Sequence, residues 1–396
     1  RTGTNSYELR YRDGSKKIFD LPDDSIGTAR RIFMTAVVDP AGNAATIQFE
    51  SPGKISSVTD AIGQKTRFFH EFVYTNIVFG QLPSTFVTNV FTNFYALTGA
   101  VDPFGRTALF QADAYGANAT FRHLTNIVDS IGLSSSFADA AVQNLGWWIY
   151  TLTTPYGTTT FQPGFFKGRW RANWMEITHP NGEKERVEYS EIADNGIPSS
   201  EPIGIVPKGV PVRNFILFGR NTYHWDRNAY ARGYSPADYS GAKVYHWLHG
   251  LDYTTASPIL ESIKPPLEHR VWFNYEGQVN ASFAGSSDRP TKISRTTEDG
   301  TTQLYQFEYN SIGNPTKAID PLGRELSFVY ASNQVDLTEI RQTRRGQNEL
   351  LASATFNAHR ALTISDASQQ TVSFSYNARG QVLSTTNALG HFTAFS

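Results

Sequence analysis

Residues 305–330 read Tyr-Gln-Phe-Glu-Tyr-Asn-Ser-Ile-Gly-Asn-Pro-Thr-Lys-Ala-Ile-Asp-Pro-Leu-Gly-Arg-Glu-Leu-Ser-Phe-Val-Tyr, and this stretch decides the fold. Residues 305–309 alternate aromatic with polar side chains, which is the period-two pattern of a β-strand with one apolar face. Two turn signals follow, Asn310–Gly313 and Asp320–Gly323, with a short strand between them. The stretch therefore predicts two consecutive β-hairpins.

The second turn signal has a direct physical explanation. The Asp320 carboxylate can accept the backbone N–H two residues further on, and Pro321 presets φ near the value that a turn requires. Gly323 tolerates the left-handed backbone conformation that returns the chain into the next strand. Each residue type is thus explained by the geometry of a tight turn.

The same signals recur along the chain at a spacing of about two dozen residues. The residues predicted to form the turns are Asp39 and Gly42, Asp60 and Gly63, Asp102 and Gly105, Asp320 and Gly323, and Asn377 and Gly380. Repeated hairpins without intervening helices predict an all-β protein with a continuous antiparallel sheet, coiled into a solenoid or shell.

The repeat lapses in the middle of the chain, which predicts three regions. Residues 1–190 and 290–396 form the repeat sheet, and residues 191–289 form a non-repeat insertion of irregular α+β character packed on it. Within the insertion, the stretch from Ala237 to Leu251 is predicted to include a helix. The chain is expected to be a segment of a longer polypeptide, with the sheet continuing beyond residue 396.

These motifs resemble those of the RHS/YD-repeat family. The resemblance is carried by Tyr309-Asn310-x-x-Gly313 with the Asp-Pro-Leu-Gly-Arg sequence at 320–324, and again by Tyr376-Asn377-x-x-Gly380. It covers about three quarters of the chain and implies a sheet that spirals into an open or partial hollow cocoon. The family includes polymorphic toxins, shell components of insecticidal toxin complexes and teneurin-like adhesion receptors, and it transfers no catalytic residue to this chain.

Composition excludes several classes of function. The chain has 35 basic and 36 acidic residues and no cysteine, so general nucleic-acid binding, disulfides and thiolate metal sites are not expected. No apolar stretch reaches the length of a membrane span, so this segment is not expected to insert into a membrane. The resemblance implies a secreted or cell-surface protein, bacterial in origin.

Two groups of polar residues are candidates for a catalytic or metal site. The periodic aspartates suit general acid–base pairs or calcium ligands in principle, but one residue per repeat forms a row and not a cleft, which favours turn formation. His246 and His249 would share one face of a helix, as metal ligands do, but the adjacent Trp247 and Leu248 favour packing. No metal or other cofactor is therefore predicted.

The insertion is rich in aromatic residues, and the candidates for partner binding are Tyr223, Trp225, Tyr245 and Trp247. Exposed tyrosine and tryptophan are typical of surfaces that bind a protein or a glycan. The competing interpretation, which we favour, is that these residues form a small core joining the insertion to the sheet.

The sequence predicts a non-enzymatic shell segment that encapsulates or presents a C-terminal cargo or toxin domain. Its main partner would then be the rest of the parent polypeptide. One alternative is a cell-surface adhesion or scaffold module that binds a surface protein or a glycan. A second alternative is a carbohydrate-active enzyme on a β-solenoid, which would need two carboxylates about 5–10 Å apart in one cleft.

Overall fold

The structure is a computed structural model that describes residues 5–23, 31–79, 89–115, 121–142, 146–164, 173–191, 198–234, 236, 238–252, 255–378 and 380–395. In these residues 28 strands belong to one antiparallel sheet, and each strand pairs with its neighbours in the sequence wherever the register is defined. The predicted all-β class, built from consecutive antiparallel hairpins, is confirmed.

The strands are short and closely spaced along the chain. The first fourteen are β1 (Tyr7–Arg10), β2 (Lys16–Pro22), β3 (Ile32–Val38), β4 (Ala44–Ser51), β5 (Lys54–Thr59), β6 (Lys65–Phe79), β7 (Asn89–Val101), β8 (Thr107–Tyr115), β9 (Phe121–Val128), β10 (Ser134–Val142), β11 (Gly146–Thr154), β12 (Gly157–Gly164), β13 (Trp174–Thr178) and β14 (Lys184–Ser190). The others are β15 (Asn221–Trp225), β16 (Lys243–His249), β17 (Ala256–Lys264), β18 (Val271–Tyr275), β19 (Pro290–Thr296), β20 (Thr302–Tyr309), β21 (Pro315–Ile319), β22 (Glu325–Tyr330), β23 (Leu337–Arg344), β24 (Gln347–Asn357), β25 (Arg360–Asp366), β26 (Thr371–Tyr376), β27 (Val382–Thr386) and β28 (Phe392–Ala394).

The chain divides into two compact units. Unit 1 contains Arg1–Ala140, Ile149–Thr158 and Ala378–Gln381, and unit 2 contains the remainder. In the described part of unit 1, only Ser57 and Gly99 are buried. The described residues of unit 1 therefore form a layer of sheet without a buried apolar core.

Unit 2 has long connections that unit 1 lacks in its described part. Residues 198–220 cross one face of the sheet with a single short 3-10 turn at Ile203–Ile205. Residues 226–242 carry a one-turn helix, α1 (Arg227–Ala231), whose N-cap carboxylate on Asp226 accepts the amide of Ala229 at 2.8 Å. The buried hydrophobic residues among those described all lie between Val210 and Ala284, so the apolar core forms where these connections lie.

The predicted helix between Ala237 and Leu251 is wrong. Residues 239–241 form a 3-10 turn, and Lys243–His249 form strand β16. Val244, His246 and Leu248 are buried while the residues between them are only half-buried, which is the alternation of a strand with one covered face. Pairing with β15 and β17 fixes this segment as a strand.

Four of the strands, β15 to β18, lie inside the stretch 191–289. They pair in order with β14 on one side and β19 on the other, so the ladder runs through this stretch without a break. What distinguishes the stretch is the length of its connections, which leave the plane of the sheet and return.

Candidate functional site

The predicted turn formers have the geometry of hairpin turns. Asp60 Oδ1 accepts the amides of Ile62 at 3.0 Å and Gln64 at 2.8 Å, and Gly63 donates its amide to the Asp60 carbonyl at 3.1 Å. The turn at Asp102 repeats these contacts. The same side-chain acceptor pattern is present at Asp39, which holds the Asn43 amide, and at Asp320, which holds the amides of Leu322 and Arg324.

The backbone favours glycine at the fourth position of these turns. The φ angles are +88° for Gly42, +87° for Gly63, +82° for Gly105, +75° for Gly323 and +84° for Gly380, which ends the turn that begins at Asn377. Only glycine adopts this region without steric cost. The aspartate carboxylates are engaged by the amides of their own turns, so the geometry favours turn formation and does not favour catalysis or calcium binding.

The four aromatic candidates divide into two pairs. Tyr223 and Trp225 are buried with Ala229, Ala242 and Val244, and the Tyr239 ring lies 4.7 Å from that of Tyr223. The Trp225 indole N–H donates to the Asp238 carbonyl at 3.1 Å. These two rings are core residues, as the competing interpretation of this stretch has it, and a partner has no access to them in this structure.

Tyr245 and Trp247 lie on the other face of β16. They are half-buried, with ring centroids 6.4 Å apart and planes 18° from parallel. The Trp247 indole donates to Thr222 Oγ1 at 2.9 Å, and Lys243 Nζ lies 5.1 Å from the Tyr245 ring. Of the four candidates, this is the pair whose rings are partly exposed to solvent.

A row of buried, mainly polar residues is the least expected feature of unit 2. Directly paired residues on β15 to β19 place Asn221, His246, Ser262, Trp272 and Ser294 side by side on one face. All five are at most 1% exposed. We call these five residues the covered polar row.

The segment 198–220 covers this row through hydrogen bonds. The Asn221 amide donates to the Leu217 carbonyl at 2.7 Å, and the Asn274 amide donates to the Pro211 carbonyl at 2.8 Å. Arg270 Nε donates to Glu201 at 2.9 Å. The cover is therefore held in part by polar contacts, of which the two amide–carbonyl bonds each contribute about 1 kcal/mol net.

A β-bulge brings a carboxylate into the row. His246 pairs with Ser262 and Trp247 pairs with Leu260, so Glu261 is the extra residue that the bulge re-aims. Its carboxylate lies 3.2 Å from His246 Nε2 and accepts the Arg213 amide at 3.2 Å. His246 Nδ1 lies 2.8 Å from Asn221 Oδ1. Burial lowers the pKa of His246, and the neighbouring Glu261 offsets this only in part.

The second histidine has different partners. His249 Nε2 lies 2.8 Å from Arg220, whose Nε donates to the Trp247 carbonyl at 2.9 Å. Burial, and then the Arg220 charge, lower the pKa of His249. A neighbouring guanidinium disfavours a metal cation, and no group of three or more potential ligands is positioned to hold a metal ion anywhere in the described ranges.

A groove of about 620 Å³ lies where the β17–β18 and β19–β20 turns meet, and it contains the carboxylates of Glu268, Glu298 and Asp299. Hydrogen bonds from the Thr297 hydroxyl and the Thr301 amide lower the pKa of Asp299. The general acid of a glycosidase needs a raised pKa, whereas the pKa of Asp299 is lowered, which does not favour glycosidase chemistry.

Sequence reasoning missed the covered polar row. Asn221, Ser262 and Ser294 carry no motif, and a serine in a strand is ordinarily read as facing solvent. The available signal was the alternation in β16, in which Val244, His246 and Leu248 share one face. The cover itself comes from a segment without periodicity, so its contacts have no signature in the sequence.

Among the described residues, no helix combines the length and the apolar character that crossing a membrane requires. No protein-family model matches the chain, and no curated protein matches it.

Solved structures do match. A crystal structure of TcdB2-TccC3-TEV aligns with a TM-score of 0.45 and 9% identity over 94% of this chain and 20% of that one. The Photorhabdus luminescens Tc holotoxin pore aligns with a TM-score of 0.45 and 10% identity over the same shares. A porin-like protein from Bacteroides uniformis aligns with a TM-score of 0.14 and 10% identity over 87% of this chain and 85% of that one. The chain thus spans about a fifth of the length of the first two structures it resembles.

Proposed function

We propose that this chain is a wall segment of a large YD-repeat shell, without enzymatic activity of its own. The shell would enclose or present a cargo domain of the same parent polypeptide, and the protein would be secreted or displayed at a bacterial cell surface. The proposal draws on the repeat motifs, the continuous antiparallel ladder and the exposure of the sheet in unit 1.

The observation that carries the proposal is that unit 1 is a single layer with apolar side chains on both faces. Gly99 pairs directly with both Phe69 and Leu109, so these two side chains lie on the same face of the sheet. The side chains of Phe69 and Leu109 are each about half exposed. Phe68 and Phe110 lie on the opposite face and are half-buried. A freestanding domain needs a second layer to cover such a face. A wall does not, because one face meets the contents and the other meets the exterior.

The test is a cryo-electron microscopy structure of the intact parent polypeptide. The expected result is a hollow enclosed by the sheet, with density for another domain of the polypeptide inside it and against one face of unit 1. A second sheet packed directly on unit 1, leaving no enclosed space, would contradict the proposal.

A second candidate, binding of a surface protein or glycan, is favoured by Tyr245 and Trp247. Their near-parallel, partly exposed rings resemble a stacking surface for a planar or sugar ligand. A binding screen against polysaccharides would compare the wild type with Trp247→Ala, with Phe72→Ala in unit 1 as the matched control. Binding that both variants retain would exclude this surface.

A further inference from the structure

The turns of unit 1 share a feature that turn formation does not explain. The third residue of four successive turns at one end of the strands is large and apolar, and these residues are Ile62, Phe104, Ile131 and Tyr156. Their exposed fractions are 51%, 70%, 75% and 82%. We call these four residues the apolar ridge. A turn needs only a small or polar residue at this position.

The topology places these residues on one line. Strands alternate in direction, so the turns joining β5 to β6, β7 to β8 and β9 to β10 all lie at the same strand end, and the β11–β12 turn follows them. Neighbouring members are separated by two strand spacings, or about 10 Å. The ridge is therefore a series with a nearly constant period along one end of the strands.

The members of the ridge are held in place by the turn formers. Asp60, Asp102 and Asp129 each accept the amide of the apolar residue two positions on, at 3.0, 2.9 and 2.9 Å. In the fourth turn, Thr154 Oγ1 accepts the Tyr156 amide at 3.2 Å. Because these hydrogen bonds fix the backbone of the turns, little loop ordering is needed when the ridge meets a partner.

The ridge is bounded, and the described part of unit 2 has no contiguous equivalent. The third residue is Ala41 in the turn that precedes the ridge along this end of the strands, and it is Asn181 in the turn that follows the ridge. In unit 2, Leu322 is the third residue of the β21–β22 turn and is 79% exposed. The β19–β20 turn on one side has Asp299 as its third residue, and the β23–β24 turn on the other side has Arg345 and Gly346. The exposed leucines of unit 2 at this turn position, Leu322 and Leu389 (81% exposed), are separated by the β23–β24 and β25–β26 turns. Isolated exposed leucines are ordinary, whereas a contiguous apolar series marks an interaction surface.

We propose that the apolar ridge is a self-association surface, which pairs with the ridge of a second copy of this chain about a two-fold axis. An isologous contact needs a surface that complements itself, and a series with equal spacing does so when one copy is reversed. Phe104 of one copy then lies beside Ile131 of the other, and Ile62 lies beside Tyr156. The proposal depends only on unit 1 and is independent of the shell.

Charge and area agree with a weak protein contact. Carboxylates of Asp60, Asp102 and Asp129 lie at the base of the ridge, and Arg106 pairs with Asp102 at 2.6 Å. These four groups together keep a net negative charge, which disfavours insertion into an anionic bilayer. Four exposed side chains of this size offer roughly 500 Å² per copy. The total of roughly 1,000 Å² is at the lower limit for a specific interface, so we expect a Kd on the order of 10 to 100 μM.

Sedimentation equilibrium of the chain at 1 to 200 μM, a range that spans roughly the expected Kd, tests the proposal. The double variant Phe104→Ser, Ile131→Ser should raise the Kd at least about tenfold, because each apolar side chain leaves the contact. The matched control, Leu322→Ser, removes an equally exposed leucine from the same turn type outside the ridge and should leave the Kd unchanged.

A second measurement does not depend on the folding of the serine variants. The chain has no cysteine, so Phe104→Cys mixed with Ile131→Cys should yield a covalent dimer on mild oxidation, and Leu322→Cys mixed with Ile131→Cys should not. Three results would overturn the proposal. They are a monomer at every concentration, an equal effect of the ridge and control substitutions, and binding to phosphatidylcholine vesicles without self-association.

Discussion

Unit 1 and the middle of unit 2 are built from the same antiparallel ladder, yet one is an open layer and the other has a core. In unit 1 the described connections are tight turns, and Phe72 remains 55% exposed on the sheet. In unit 2 the connections 198–220 and 226–242 return across the sheet, and Trp225 is 0% exposed. Burial in this protein therefore depends on the length of the connections, since strand patterns of both regions contain suitable apolar residues.

The largest expected difference is between truncations of a covered and an uncovered aromatic. Trp225→Ala should lower the free energy of unfolding by about 3–5 kcal/mol, because the surrounding core cannot collapse into the space left behind. Phe72→Ala should lower it by less than about 1 kcal/mol, because its site is open to solvent. Urea denaturation followed by circular dichroism measures both, and equal losses would remove the distinction between the two regions.

Glycine-to-alanine substitutions test the difference between the long connections of unit 2 and the tight turns of unit 1. A Cβ at Gly285 in unit 2 would lie 2.0 Å from the backbone carbonyl oxygen of Glu276, whereas one at Gly105 in unit 1 would meet nothing within 4 Å. Gly285→Ala should therefore cost about 2–3 kcal/mol through displacement of the backbone. Gly105→Ala should cost about 1 kcal/mol through its positive φ alone. Urea denaturation gives the free energy of unfolding of both variants. A larger decrease for Gly105→Ala than for Gly285→Ala would contradict the comparison.

Hydrogen–deuterium exchange compares the two regions without any substitution. Amides of β16 lie under a cover, whereas those of β8 lie in an open layer, so β16 should exchange at least about tenfold more slowly. Mass spectrometry of peptic fragments resolves the two strands. Similar protection in both would mean that pairing within the sheet, and not the cover, determines local stability.

The smallest expected effect is a pH dependence of unit 2. Burial lowers the pKa of His246 below that of an unfolded histidine, near 6.5, so protonation favours the unfolded state. The stabilising contribution of neutral His246 is fully present above about pH 6.5. It should be lost as the pH falls through the pKa of His246 in the folded state. The facing groups are Glu261, which opposes the shift, and Arg220 and Arg270, which reinforce it.

Thermal melts at pH 7.5 and pH 5.5, a range that spans roughly the pKa of an unfolded histidine, should show a drop of a few degrees for the wild type. His246→Gln keeps hydrogen-bonding capacity without titrating, so its melting temperature should fall less over the same interval. An unchanged pH dependence in His246→Gln would show that other groups produce it.

Much of the fold was predictable because it depends on interactions between residues that are close together in the sequence. The period-two alternation and the Asp-x-x-Gly turns act over a few residues, and each strand pairs with its neighbours in sequence, so the all-β hairpin architecture follows from short segments. The helix predicted near Ala237–Leu251 failed for the opposite reason. Its aromatic residues fit either periodicity, and only pairing with β15 and β17 decided the strand.

The sequence by itself determined the ladder, the turn chemistry and the four apolar residues at the turns of unit 1, because each depends on residues close together in the chain. Tertiary structure alone decided which sheet face is covered, that Tyr223 and Trp225 are core while Tyr245 and Trp247 are not, and that Glu261 lies beside His246. The first two outcomes depend on where the long connections return across the sheet, and the third depends on a β-bulge between β16 and β17. Neither leaves a periodic trace in the sequence.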